Sequence, residues 1–402
     1  MSPHEAQRPR LRLLKPLRAS LMQGHPWLFD RALGLPAAPP APGAVAVVED
    51  HDGAIAQVFV DPDSPIRARV LTLDVDERLD DAWAHDRAQA AARRRSRDPA
   101  LVGCDGLRAL HGEADGCPGL VVDVYAGVAV AMFDGRAAAA FWTPRLPAVL
   151  RGLVAGGVDL DRTWVKGDRR GAPPYAIGPA PPEVVEIRED DARFGVDVIS
   201  GQKTGFFLDQ RDNRRCVAAH AAGAEVLNLF CYNGGFSLKA GLGGAARVTS
   251  VDSAPRAIES LADNLRRTGL PPEAHELVCA DAFEFLAQAR RQGRTWDLVI
   301  ADPPSFAPSE RTKGTALRGY ARLVEACLDV VDAEGRFALA SCSSHVTEQD
   351  LLGVLASAAI RPSAPGRGAA LRVRYAGGAA TDHPILPAFP EGRYLKFLLC
   401  DL

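Results

Sequence analysis

Apolar and polar positions in the second half of the chain alternate between two periods. Residues 225–252 read EVLNLFCYNGGFSLKAGLGGAARVTSVD. A short apolar run (Val226, Leu227, Leu229, Phe230) ends in Tyr232-Asn233-Gly234-Gly235, a helix-spaced segment follows, and a second run at 248–251 stops at Asp252. This spacing predicts a strand, a tight turn, a helix and a second strand. The same alternation continues downstream. Helices are predicted at 257–268, 282–291, 320–331 and 349–360, and strands at 276–279, 296–300 and 336–341. Segments 371–375 and 394–399 read as antiparallel edge strands. Strand–helix repeats with a mostly apolar strand in each imply a doubly wound, mostly parallel sheet.

The first half has a different texture. Residues 11–14, 45–48 and 55–60 are short strand candidates separated by the Pro/Ala-rich loop 35–43, which suggests a small β domain. Trp27 and Phe29 follow a polar turn and read as core residues. Segment 78–97 is alanine-rich and carries Arg93-Arg94-Arg95-Ser96-Arg97, so it predicts a helix with a basic end, either a solvated face or a phosphate contact. Strands at 107–110, 120–125, 128–133 and 164–166, with a helix at 141–153, fill a mixed α/β middle region. Residues 1–9 read as polar and frayed, and 167–182 as a Gly/Pro-rich linker. Residues 184–199 alternate as a half-exposed hairpin does. The divisions expected are 1–75, 76–190 and 191–402.

Composition narrows the classes. The 402 residues carry a formal net charge of −3, so any nucleic-acid partner must be held by local patches rather than a global cationic field. No stretch is apolar and long enough to span a bilayer, and the basic N-terminus lacks the apolar core of a signal peptide. Eight cysteines without a CxxC pair fit a reducing, cytoplasmic compartment and do not suggest zinc. The absence of a Gly-Lys-Ser/Thr phosphate cradle argues against an ATP or GTP enzyme.

In a doubly wound sheet, ligands bind beyond the C-terminal strand ends. The predicted ends here carry Asn233–Gly235, Asp252, Asp281, Asp302 and Ser341-Cys342-Ser343. Gly234 and Gly235 permit close backbone approach to a cofactor, and Asp252 is placed to take two ribose hydroxyls. Asp302-Pro303-Pro304-Ser305-Phe306 is a rigid, donor-poor loop that can offer carbonyls and a ring to a planar substrate. Cys342 can act as a nucleophile, or be a structural thiol. Segment 200–215, SGQKTGFFLDQRDNRR, either folds over the crevice or enters the domain as a capped helix.

These motifs resemble one family. GQKTGFFLDQRDNR (201–214), VLNLFCYNGGFSLKA (226–240), VTSVD (248–252), CADAFEFL (279–286), LVIADPPSFAPS (298–309), RGY (318–320), ASCSSH (340–345) and DHPILPAFPEGRYLKFLLC (382–400) are similar, in order and spacing, to class I S-adenosylmethionine-dependent methyltransferases that make 5-methylcytosine in large-subunit ribosomal RNA. LRLLKPLRASLMQGHPWLFDRAL (11–33) resembles the start of the RNA-binding PUA β-barrel these enzymes carry. The resemblance implies a seven-stranded Rossmann-like methyltransferase domain, S-adenosylmethionine as cofactor and ribosomal RNA as partner. A homodimer, common in that group, stays open. By position, Asn228, Phe230, Tyr232, Gly234, Gly235, Asp252, Asp281, Ala282, Asp302 and Pro303 would hold the cofactor. Lys203, Phe207, Gln210, Arg211, Pro304 and Phe306 would contact substrate or close over the donor. Cys342 would attack cytosine C6, with Asp302 holding the base edge. Pro304 is followed by Ser305, not the second cysteine many RNA cytosine-C5 enzymes have there, which leaves the base that removes the C5 proton unnamed. A sister group methylating guanine at N2 or N7 shares much of this text but needs no thiol. A small-molecule methyltransferase and a non-catalytic RNA-binding protein are the further alternatives.

Overall fold

Strand-forming segments rich in Val, Ala and Leu build three of the four sheets around separate cores. The computed structural model describes residues 8–167, 173–306, 310–359 and 371–402. Residues 1–7, the first part of the linker expected at 167–182 and the end of the helix expected at 349–360 lie outside the described residues. Contacts divide the chain into two units. One comprises residues up to 187 with 196–206 and 381–390. The other comprises 188–195, 207–380 and 391–402.

The first unit opens with β1 (Arg10–Leu13), α1 (Arg18–Met22), β2 (Trp27–Phe29), β3 (Leu33–Gly34), β4 (Val45–Asp50), β5 (Gly53–Val60) and β6 (Ile66–Thr72). The strands form one mixed sheet in the order β2-β6-β5-β4-β1-β3. Its two outer strands, β2 and β3, are joined by the three residues Asp30–Ala32. Leu28 from β2 and Leu33 from β3 share a core with Leu11, Ala46, Val48, Val58 and Ala68, as in a small barrel. Trp27 packs against Phe389 at 4.5 Å and donates to Glu113 at 2.8 Å. Phe29, expected in the core, is 41% exposed, because β2 is an outer strand and one of its faces meets solvent.

The same unit continues with α2 (Asp81–Ser96), β7 (Gly106–His111), β8 (Leu120–Tyr125), β9 (Val128–Phe133), α3 (Arg136–Trp142), α4 (Leu146–Ala155), β10 (Arg162–Val165) and β11 (Tyr175–Ile177). The strand order is β11-β10-β9-β8-β7. The single helix expected over 141–153 is two helices, separated by a turn at Thr143–Arg145. Pro144 and Pro147 each lack the N–H that a continuous helix would use. The arginine run at the end of α2 is partly structural. Arg95 is buried and pairs with Asp115 at 2.7 Å, and Arg94 reaches the same carboxylate at 2.6 Å. Buried charge is tolerated there because each group is paired and hydrogen-bonded.

The hairpin β12 (Val184–Glu189) and β13 (Ala192–Asp197) spans the division between units. Its apolar and polar residues alternate in burial along both strands, as a hairpin with one covered face requires.

The second unit holds α5 (Arg211–Ala218), β14 (Glu225–Leu229), α6 (Gly235–Leu242), β15 (Arg247–Asp252), α7 (Pro255–Thr268), β16 (His275–Cys279), α8 (Ala282–Arg291), β17 (Trp296–Ala301), α9 (Lys313–Leu328), β18 (Val331–Ser341), α10 (Glu348–Ala359), β19 (Arg372–Gly377) and β20 (Lys396–Asp401). Seven strands run in the order β16-β15-β14-β17-β18-β20-β19. The first five are mutually parallel, and β20 is antiparallel to β18 and to β19. β17 and the second half of β18 are largely apolar because helices cover both faces, whereas β15 buries Thr249 and Ser250 among its apolar residues. Of the two C-terminal strands expected at the edge, only β19 is one. β20 lies inside the sheet, and its residues Lys396–Cys400 are buried. Helix α9 begins at Lys313, seven residues before the expected start.

Candidate active site

The strand order reverses between β14 and β17, and ligands bind in the crevice outside the carboxyl ends of such strands. The residues at those ends are Phe230 after β14, Asp252 at the end of β15, Asp302 after β17 and Cys342 after β18. Parallel register places them along one side of the sheet, since Leu229 pairs with Val251 and Ala301, and Ala301 with Leu339.

The turn after β14 is built from unusual backbone. Phe230 (φ 57°) and Tyr232 (φ 48°) are left-handed despite their side chains. Such strain in bulky residues concentrates at binding sites. It is held by specific bonds. Tyr232 N donates to Asp252 Oδ2 at 2.9 Å, Cys231 N to Val251 O at 3.1 Å, and Gly234 N to Cys231 O at 2.8 Å. Asn264 Nδ2 donates to Asn233 O at 2.9 Å. Gly234 itself has φ 86°, and a Cβ there would lie 2.1 Å from Leu261 Cδ1. Beneath the turn, Asn228 Nδ2 donates to Ser237 Oγ at 2.8 Å, and Ser237 Oγ meets Ser250 Oγ at 2.8 Å. Asn228 Oδ1 is buried and has no partner among the described residues.

Asp252 accepts a second backbone bond at Oδ1, from Ala254 N at 2.9 Å. Each of its oxygens keeps a further lone pair for a hydroxyl. Asp281 is the N-cap of α8 and accepts from Phe283 N at 2.8 Å and Glu284 N at 3.1 Å. Ala282 is the first residue of that helix and is buried. The cap therefore has a structural task of its own.

Asp302 sits after β17, where its Oδ2 accepts from Gln210 Nε2 at 3.0 Å. Gln210 Oε1 in turn accepts from Asn213 Nδ2 at 2.7 Å. Pro303 is buried and Pro304 exposed. Phe306 lies 4.9 Å from the Tyr320 ring. Phe207 meets Tyr232 edge-on at 5.2 Å. Arg211 is fully buried, 4.0 Å from Glu189, beside the tighter Arg214–Glu189 pair in which Arg214 Nε lies 2.8 Å from Oε1. Lys203 is exposed, with φ 52°, and belongs to the other unit. The sequence-predicted residues from 207 onward thus share one unit, and Lys203 does not.

Cys342 is half-buried between Ser341 and Ser343. Tyr320 OH donates to Ser341 Oγ at 2.8 Å, and Ser343 N to the same oxygen at 3.3 Å. Burial pushes the Tyr320 phenol up to about 12, the Ser341 bond opposes this, and the Cys342 and Asp302 charges add to it. Burial also pushes the thiols of Cys231 and Cys327 far up, and that of Cys400 to about 11. Those three are poor thiolates at neutral pH. Sequence reasoning did not single out Tyr320 or Lys396, although both fall in matched motifs. A lysine inside an apolar strand was the available signal for the second.

The strained glycine turn, the carboxylate on the neighbouring strand and the partnerless Asn228 oxygen fit S-adenosylmethionine. The fold and the site define a class I S-adenosylmethionine-dependent methyltransferase. Residues 170–356 match the S-adenosylmethionine-dependent methyltransferase family, and residues 11–73 the PUA-like domain family. A ribosomal RNA large subunit methyltransferase of Deinococcus radiodurans is 38% identical over 99% of this chain and 98% of its own length. Ribosomal RNA large subunit methyltransferase I of Cronobacter sakazakii is 33% identical over 98% and 99%. Among solved structures, a Streptococcus mutans protein assigned to the SAM-dependent methyltransferases covers 98% of this chain and 100% of its own with a TM-score of 0.82, and at 20% identity it shares the fold. The chain belongs to the family of bacterial large-subunit ribosomal RNA methyltransferases with an N-terminal PUA-like domain. Among the described residues no helix is long and apolar enough to cross a membrane.

Proposed function

We propose that this protein transfers a methyl group from S-adenosylmethionine to C5 of a cytosine in 23S ribosomal RNA, with Cys342 as the nucleophile. The observation that carries this reading is the half-buried thiol at the end of β18, two strands from the cofactor turn and one from Asp302. A guanine-N methyltransferase would have no use for a thiol in that position. Ribosomal RNA is the partner this reaction requires, and the cytoplasm the compartment.

S-adenosylmethionine, when bound by Asn228, Phe230, Tyr232, Gly234, Gly235, Asp252, Asp281, Ala282 and Pro303, supplies an electrophilic methyl on a sulfonium. C5 of cytosine is too weak a nucleophile to take it unaided. The Cys342 thiolate adds to C6, forming an S–C6 bond and moving the C5=C6 electron pair onto C5. After C5 has gained the methyl, loss of its proton restores the double bond and expels the thiolate. Asp302 holds the amine edge of the base. Gln210 steadies that carboxylate, and Pro304 and Phe306 offer a rigid, partly apolar wall to the ring. Arg211 is held beside Glu189, and Phe207 contacts the RNA or closes over the donor. The base must be unpaired or flipped out to reach the thiol.

The test is methyl transfer resolved by nucleoside. Wild type with labelled S-adenosylmethionine and unmodified 23S RNA should put label in 5-methylcytidine, and Cys342→Ala should abolish it. Label in guanosine, or label indifferent to the substitution, would overturn the thiol mechanism.

A further inference from the structure

Lys396 opens β20 from within the sheet and is 5% exposed, although every other residue of Leu395–Cys400 is apolar. A lysine in such a place needs partners for its ammonium. In register it stands opposite Ser341, the residue just before the reactive cysteine. Its Nζ donates to Ser343 O, the residue just after that cysteine, and to Tyr394 O at 2.8 Å. An ammonium has three protons, so the two carbonyls leave one donor without a hydrogen-bond partner among the described residues, and neither carbonyl carries a neutralising charge. Two acidic groups act on that charge, Cys342 first and then Asp350. Asp350 is already held by Lys313 at 2.9 Å and by Thr347 Oγ1 at 2.7 Å. The Tyr320 phenol, on which the Cys342 and Asp302 charges both act, is a further titratable group at this strand end.

We infer that Lys396 is a positioning residue for the methyl-transfer step: from a strand paired with Ser341, its buried ammonium pins the Ser343 flank of Cys342 and favours the thiolate over the thiol. This rests on Cys342 being the nucleophile. The device answers a definite need. A like charge such as the Asp302 carboxylate at the end of the neighbouring strand disfavours a thiolate, and a cation offsets it. Burial pulls the Lys396 ammonium down, and against the upward pull of Cys342 and Asp350 it comes to about 8. Coupling between two charges is mutual, so the ammonium lowers the thiol's proton affinity as much as the thiolate raises the ammonium's. A lysine that merely tied down two carbonyls would do the same work with any donor, charged or not.

That difference sets the experiment. The rate of Cys342 alkylation by iodoacetamide is followed from pH 6 to 10 by mass spectrometry of its peptide, in wild type, Lys396→Gln and Lys396→Arg. Glutamine keeps an N–H donor for the carbonyls but removes the charge. The midpoint is expected to rise by about one pH unit or more in Lys396→Gln, which slows alkylation at pH 7 roughly tenfold. Lys396→Arg should restore most of it. A midpoint in Lys396→Gln equal to that of wild type would overturn the inference. The mutual measurement serves if the glutamine variant does not fold. Cys342→Ser should lower the titration midpoint of Lys396, read by NMR of its Cε, and an unchanged midpoint would equally overturn the inference. Failure of the underlying reading looks different, because label would then appear in guanosine, or persist in Cys342→Ala, whatever Lys396 does.

Discussion

Replacing Gly234 by alanine tests whether the turn after β14 is the rigid cradle that its geometry describes. Two costs combine. The residue sits at φ 86°, and an L-residue in the left-handed region costs about 1–2 kcal/mol. Its new methyl would also start 2.1 Å from Leu261 Cδ1 and 3.0 Å from Leu238 Cδ1. Both leucines are fully buried, so neither can swing into open space, and overpacking of this kind costs about 1–3 kcal/mol. The sum is about 2–5 kcal/mol. For a unit of this size, Tm should fall by roughly 4–20 °C in a thermal melt. If the turn yields locally instead, a 2 kcal/mol penalty appears as an approximately 30-fold weaker S-adenosylmethionine Kd in calorimetry. Gly223→Ala is the control. Its φ is 72° but nothing lies within 4 Å of its Cβ, so only the backbone term of about 1–2 kcal/mol applies. Equal effects at the two positions would refute the steric part of the reasoning. Unchanged Tm and unchanged Kd in Gly234→Ala would refute all of it.

The other predictions use the same structure. Asp281→Ala should destabilise α8 by about 0.5–2 kcal/mol, whereas Asp281→Asn keeps the cap, so weaker cofactor binding in the asparagine variant alone would report contact with the ligand. Glu189→Gln strands the buried Arg214 charge and should cost about 3–5 kcal/mol in urea unfolding; a loss below 1 kcal/mol would show the pair to be dispensable. Burial raises the Glu189 carboxyl, but Arg214's charge and hydrogen bonds outweigh this and hold it below 4.5. A carboxylate with a depressed folded value contributes stability above its ordinary pKa and loses it as pH falls through the depressed one. Urea midpoints should therefore fall with acid below about pH 4.5 in wild type, and less steeply in Glu189→Gln. Tyr320→Phe removes the bond to Ser341 and should lower stability by about 0.5–1.5 kcal/mol in the same unfolding assay, with no effect expected on cofactor Kd.

Strand and helix periods along 225–341 were legible in the sequence because parallel strands buried on both faces must be apolar and their helices amphipathic. The two glycines, the closing Asp252 and the Asp-Pro-Pro loop stood out in the text for a similar reason: a tight turn with left-handed backbone and a strand end that accepts backbone bonds restrict residue type locally. Local pattern could not say that β20 lies inside the sheet, since a buried antiparallel strand and an edge strand have similar apolar content. The break between α3 and α4 was in the text as Pro144 and Pro147, but the apolar spacing across them read as continuous. Nor could the sequence pair Arg214 with Glu189, place Lys396 opposite Ser341 and against the Ser343 flank of Cys342, or orient Gln210 toward Asp302. Each of these joins positions tens of residues apart, and only the folded chain brings them within hydrogen-bonding range. Residue types and periods are local properties that a sequence records. The burial and charge around a given lysine or cysteine come from neighbours supplied by other strands, and tertiary structure alone decides those.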